Sequence, residues 1–247
     1  MNVLFVYLPR DCFFIDTKSR CIFPPLGLMY LSSMLERNGH RATIVDLRAD
    51  DKYELKRRAS HADMVGIRVE STSLANCRQV VETLREYDPE LPVVIGGPHC
   101  TIAKEKALES LHADYLIAGE AEHTILSLID VVEGRTDGGS VPGLYRMEDG
   151  EVHGNGIAIV ENLDELPFPA YHLVTKYDYG YMGGVKIFPG KFMSVSTSRG
   201  CPSHCRFCAR NSLVPKFRMR SAENVLDELS MLREKGYKNV TFVDDIT

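Results

Sequence analysis

The sequence predicts an α/β protein: a doubly wound parallel sheet in the first half, then the opening units of a second α/β unit at the end. Three observations carry this reading. Short, uniformly apolar, β-branched runs alternate with helical patterns from Val3 to Val132, the rhythm of a parallel sheet covered on both faces. The rhythm breaks after Gly134, and it resumes at Phe192 with a strand, a cysteine loop, a helix and another strand. Hydrophobic residues make up 44% of the 247 and charged residues 26%, enough apolar material to bury a core.

Taken in order, Val3–Tyr7 reads as the first strand. Leu28, Leu31 and Leu35 fall at helical spacing, with Gly39 as a natural stop. Ala42–Val45 and Met64–Val69 are the next strands, and a helix follows near Leu74–Tyr87. Val93–Ile95 is a fourth strand, ended by Gly96-Gly97-Pro98, and Ile102–Leu111 is helical. Tyr115–Ile117 is the fifth strand and Glu122–Val132 the last helix of the series. Five such units predict a Rossmann- or flavodoxin-like doubly wound sheet over residues 1–135. Residues 136–190 read as a hairpin around Asp149-Gly150 followed by an irregular connector rich in Pro, Gly and Tyr. Residues 191–247 then supply a strand at Phe192–Thr197, the cysteine loop, a helix at Ala222–Lys235 and a strand at Val240–Val243. No internal repeat is present.

Bulk charge sets few limits. The net charge of −5 gives no reason to expect nucleic acid as a partner. No apolar run approaches the roughly 20 residues needed to span a membrane. The start, MNVLFVYLPRD, lacks the basic and apolar regions of a secretory signal, which places the protein in the cytoplasm. Of the 7 cysteines, Cys12, Cys21, Cys77 and Cys100 are scattered, whereas Cys201, Cys205 and Cys208 are clustered. In a cytosolic chain such a cluster points to metal or redox chemistry rather than to disulfides.

The cluster reads Ser198-Arg-Gly-Cys-Pro-Ser-His-Cys-Arg-Phe-Cys-Ala209, a C-x3-C-x2-C spacing directly after a strand. Three thiolates in one loop can converge on one inorganic centre, and soft sulfur ligands suit an iron–sulfur cluster or zinc. Structural zinc normally takes four ligands, often from two knuckles. His204 sits in a cramped position for a fourth, and there is no second knuckle. Three ligands leave a cubane with one iron open.

This motif, with an aromatic before its last cysteine, resembles the radical SAM superfamily. The resemblance implies a [4Fe–4S] cluster on Cys201, Cys205 and Cys208 whose open iron chelates S-adenosylmethionine (SAM). One electron from the cluster then cleaves the sulfonium to methionine and a 5′-deoxyadenosyl radical. It also implies that Phe207 lies by the adenine, and that Asp244 and Asp245, ending the second barrel strand, meet the amino group of SAM. A carboxylate there is apt, because it accepts hydrogen bonds from an ammonium-like donor.

The first half resembles the cobalamin-binding domain that precedes the barrel in one subclass. The resemblance rests on Pro24-Pro25-Leu26-Gly27-Leu28, Asp63–Val69, Gly96-Gly97-Pro98-His99 and Gly119-Glu120-Ala121-Glu122, in that order. Asp164-Glu165-Leu166-Pro167 and Pro169-Ala170-Tyr171 match the subclass connector. Open parallel sheets bind ligands beyond the carboxyl ends of their strands. Pro9, Arg10, Ser71, Thr72, Ser73, Gly96, Gly97, Pro98, Gly119 and Glu120 all fall at such ends and are the expected cobalamin contacts. The D-x-H-x-x-G loop whose histidine ligates cobalt in the mutases is missing: Pro9-Arg-Asp-Cys-Phe-Phe-Ile-Asp has no histidine, and the next is His40.

The resemblance therefore implies a cobalamin-dependent radical SAM enzyme, of methyltransferase or cyclase type, acting on an unknown substrate. An electron donor such as flavodoxin or ferredoxin is implied as partner. Only the first strand, loop, helix and second strand of the barrel are present, so the chain reads as a fragment, inactive by itself, whose last helix keeps a poorly covered apolar face. The alternatives are a non-catalytic cobalamin- or cluster-binding module and a zinc-stabilised Rossmann-like protein.

Overall fold

A computed structural model describes residues 1–10, 23–182 and 184–246 of the chain. Residues 11–22, Cys12 and Cys21 among them, lie outside the described residues. The first half is a sheet of five parallel strands, β1 (Asn2–Tyr7), β2 (Arg41–Asp46), β3 (Met64–Arg68), β4 (Val93–Gly96) and β5 (Tyr115–Ile117), in the order β2-β1-β3-β4-β5. Helices α1 (Leu26–Arg37), α2 (Lys52–Ala59), α3 (Leu74–Tyr87), α4 (Pro98–Ala103), α5 (Glu105–Leu111) and α6 (Thr124–Val132) connect them.

The period-2 alternation of the strands sorts this sheet into two cores. Leu4 and Val6 of β1 face one side, with Leu55 of α2, Val81 and Leu84 of α3 and Leu108 of α5. Val3 and Phe5 face the other, with Leu28 and Leu35 of α1 and Ile125 and Leu128 of α6. Both faces of β1 are therefore buried, which is why its sequence is uniformly apolar rather than alternating.

Two details depart from the sequence expectation. Helix α2 was not foreseen. Its sequence KYELKRRA buries only Leu55 and Ala59, too little to set up an apolar period, and its start is fixed instead by Asp51, whose carboxylate accepts from the Tyr53 and Glu54 amides at 3.0 Å each. The helix expected over Ile102–Leu111 is two helices, broken at Lys104, whose φ of 44° is not helical.

The hairpin forms where Asp149-Gly150 predicted it, as β6 (Leu144–Glu148) and β7 (Glu151–Gly154). Asp149 and Gly150 both take positive φ, 51° and 82°, as a two-residue hairpin turn of this hand requires. Its position was not legible in the sequence: β6 pairs antiparallel with β5, so the hairpin extends the sheet to seven strands.

The connector adds two short 3-10 turns (Leu163–Glu165 and Tyr171–Val174) and a small ribbon, β8 (Tyr181–Met182) with β9 (Val185–Lys186). The second unit follows: β10 (Phe192–Val195), β11 (Ser198–Arg199), α7 (Arg210–Leu213), β12 (Arg218–Met219), α8 (Ala222–Glu234) and β13 (Asn239–Phe242). Strand β13 lies parallel to β10, with α8 as the crossover. Phe192, Met193 and Val195 of β10 and Leu232 of α8 join the α1/α6 core, so the second unit packs on that face of the sheet. Leu226 of α8 and Phe242 of β13 remain exposed, at 61% and 47%. Among the described residues, no helix is long and apolar enough to cross a membrane.

Candidate cofactor site at the strand ends

The carboxyl ends of β3, β4 and β5, together with Phe5 of β1, open onto a cavity of about 320 Å³. Its floor is apolar: Phe5, Ile67, Val94, Ile95, Ile117 and Ile125. Gly96, Gly97, Gly119 and Glu120, four of the expected contacts, line it together. So do residues the sequence reading did not single out, among them Tyr30, Arg68, Glu122, Ser196, Arg199 and Val243. The last three of these (Ser196, Arg199 and Val243) come from the second unit, so the cavity lies where the two units meet. Gly97 is required by its backbone: φ is 105°, and a Cβ would stand 3.0 Å from the Val69 carbonyl and 3.2 Å from the Arg68 side chain.

The other expected contacts form a polar cluster beside the cavity rather than in its wall. Arg10 reaches Glu70 at 3.4 Å, and Arg68 pairs with the same carboxylate. Burial works against charge on Glu70, yet the two guanidiniums hold its pKa below the usual carboxylate range. The Pro9 carbonyl accepts from Asn76 at 3.3 Å. Ser71 Oγ and His99 Nδ1 are 3.0 Å apart, and burial lowers the His99 pKa. Ser73 is buried, its hydroxyl donating to the Glu70 carbonyl at 3.0 Å, while Thr72 is exposed. Pro98 begins α4.

The cysteine loop is held at both ends. Strands β11 and β12 pair antiparallel, Ser198 with Met219 and Arg199 with Arg218, and close the loop between them. At its entry Gly200 takes a φ of 84°, and a Cβ there would lie 2.5 Å from the Lys216 carbonyl, so only glycine fits. Within the loop Cys201 is half-buried, Cys205 and Cys208 are exposed, and all three thiols are free. The Cys208 amide donates to the Cys205 carbonyl at 3.0 Å. Phe207 is 92% exposed. Three free thiols in one closed loop suit a cluster with an open iron by type and number. Among the described residues no three metal-donor side chains are gathered around one point, so convergence is left to the cluster itself.

Asp244 braces the strand that leads into this loop. Its carboxylate accepts from the Thr197 amide at 2.7 Å, the Thr197 hydroxyl at 2.6 Å, the Ser198 amide at 2.9 Å and the Ser196 hydroxyl at 3.2 Å. Asp245 pairs with Arg210. A second brace is buried: Glu228 of α8, fully buried, accepts from Tyr171 of the connector and from Arg220. Arg220 in turn donates to the Ser196 carbonyl at 2.8 Å.

Comparison with known proteins shows the family. Residues 14–129 match the B12 binding domain family, and residues 195–245 match the Radical SAM superfamily. The chain belongs to the B12-binding radical SAM proteins. It is 33% identical to an uncharacterized methyltransferase of Pyrococcus horikoshii over 230 residues, 90% of this chain and 49% of that protein. It is 28% identical to the anaerobic magnesium-protoporphyrin IX monomethyl ester cyclase of Rubrivivax gelatinosus, covering 85% of this chain and 39% of the cyclase. The fold superposes on the cobalamin-dependent SAM radical enzyme OxsB, solved with aqua-cobalamin and SAM bound, with a TM-score of 0.80 at 20% identity, over 99% of this chain and 34% of that one. The chain thus spans about half the length, or less, of the relatives it matches.

Beside Glu120 and Asp244, which the sequence singled out, Arg199 and Glu122 help tie the site together and were not singled out. Arg199 lies inside Thr197-Ser-Arg-Gly-Cys-Pro202 and Glu122 inside Gly119-Glu-Ala-Glu122, both of which carried the resemblance. Their signal was the charge they bring to an apolar wall, which spacing alone does not reveal.

Proposed function

We propose that this chain is the cofactor-holding part of a cobalamin-dependent radical SAM enzyme of methyltransferase or cyclase type. One observation carries the reading: the cavity at the sheet's carboxyl ends shares its wall with Ser196 and Arg199, on the segment that delivers Cys201. When bound, a [4Fe–4S] cluster supplies the electron that splits SAM, and cobalamin supplies a carrier for the transferred methyl group. The chain's own residues do the rest. The apolar floor and close-lying glycine backbone would accept the edge of a flat macrocycle. Cys201, Cys205 and Cys208 hold the cluster. Asp244 keeps the segment before them in place. The electron comes from a donor such as flavodoxin or ferredoxin in the reducing cytoplasm.

Hydroxocobalamin titration tests the cobalamin half of this reading. A saturable shift of the visible spectrum to a base-off form without a protein imidazole is expected, and His99→Ala should leave it intact, because His99 is engaged with Ser71 outside the cavity wall. No shift at high cofactor concentration contradicts the proposal.

A further inference from the structure

Four charged side chains bridge the two units beneath the cavity rim. Arg199, two residues before Cys201, donates from Nη2 to Glu122 Oε1 at 2.7 Å, lies 3.6 Å from Glu120 Oε1, and sits over the Tyr30 ring at 5.2 Å. Arg218, its partner across the β11–β12 ladder, closes on Glu120 with two bonds of 2.7 and 2.8 Å. Glu120 also accepts from the Val160 amide at 2.6 Å. Burial would suppress the charge on Glu120, but the bonds from Arg218 hold its pKa below the usual range.

These are not surface pairs that solvent screens away. Glu122 is 4% exposed and Arg218 7%. A buried pair of this kind adds little net stability, yet removing one partner strands a charge. Its value is therefore geometric. Both strands that close the cysteine loop are gripped from the end of β5, and Glu120, Glu122, Arg199 and Tyr30 all line the cavity.

We propose that Glu120, Glu122, Arg199 and Arg218 are positioning residues that couple the strand-end cavity to the cysteine loop, so that a ligand filling the cavity tightens the loop that holds the cluster. The inference rests on the cobalamin reading above. By linkage the effect is reciprocal: an ordered loop tightens the cavity's hold on its ligand.

The test follows iron release from the anaerobically reconstituted chain to an added chelator, counted by elemental analysis after desalting, with and without saturating hydroxocobalamin. In the native chain the cofactor is expected to slow release roughly 5-fold or more, the lower end of typical coupling between two sites. In Glu122→Gln and Arg199→Gln, protection should fall below about 2-fold while the initial iron content holds. Glu54→Gln, which weakens the pairs of Glu54 with Arg57, Arg58 and Lys176, none of which lines the cavity, should behave as the native chain. If a single variant fails to fold because it strands a charge, the paired E122Q/R199Q, which leaves none, carries the same expectation. Full protection in the variants, or cobalamin binding without protection in the native chain, overturns the coupling. Absence of cobalamin binding appears in the titration instead and removes the reading beneath it.

Discussion

Cys205→Ala is expected to lower iron after anaerobic reconstitution from about four atoms per chain to below about one, and to abolish SAM cleavage under strong reductant. A cubane on three thiolates has no spare protein ligand, and the loop offers only His204 as a substitute. Cys201→Ala and Cys208→Ala should behave alike. Cys77→Ala is the contrast. Cys77 is fully buried in the core between the sheet and α3, so this change should leave iron and the broad absorbance near 400 nm in place. Its effect should be a loss of about 1 kcal/mol in thermal unfolding, the size expected for a small core truncation. Stoichiometric zinc without iron after reconstitution would contradict the assignment.

The second large effect is expected at Asp244. Removing its carboxylate in Asp244→Ala leaves the Thr197 and Ser198 amides and the Thr197 hydroxyl without their acceptor, while the Ser196 hydroxyl keeps the Ser198 carbonyl at 2.9 Å. Part-buried donors stripped of a charged partner should cost about 2–3 kcal/mol, visible as a lower Tm of the protein without any cofactor. Loss of SAM binding should follow, because the segment that leads to Cys201 is released. Asp244→Asn keeps one acceptor oxygen and should fall between the two. This separates bracing from contact: if Asp244 serves only to meet SAM, Asp244→Ala abolishes SAM binding and leaves the Tm of the cofactor-free chain unchanged.

Legibility of the fold tracked how local the determinants are. The parallel strands were readable because burial on both faces writes a continuous apolar run, as in Val3–Tyr7. The hairpin turn was readable because positive φ at two successive positions selects Asp-Gly. What failed depended on distant partners. That β6 pairs with β5 is a choice among available sheet edges, and β11 and β12 are two-residue strands with no pattern of their own. Helix α2 was hidden by its charge.

The site followed the same rule. The strand-end glycines showed themselves as local turn signals, and Gly96, Gly97 and Gly119 do line one cavity. The cysteine spacing was local too. The pairing of Arg199 with Glu122 spans 77 positions, and that of Arg218 with Glu120 spans 98, so neither is written in any window of sequence. Asp244 was noticed as a carboxylate at a strand end, yet the partners that occupy it stand 46 to 48 residues away. Nothing in the packing explains the 92% exposure of Phe207.

The central claim is that one cavity joins the cobalamin site to the cysteine loop. Its most direct test is the electron paramagnetic resonance spectrum of the reduced chain carrying both cob(II)alamin and the reduced cluster. Dipolar coupling between two spins falls with the cube of their separation, so cofactors that share the wall containing Ser196 and Arg199 should broaden or split each other's signals. The signals of samples loaded with either cofactor alone provide the reference. Mutual broadening in the doubly loaded chain is the result this account predicts; a simple sum of the two unperturbed spectra, with both cofactors bound at one per chain, would contradict it.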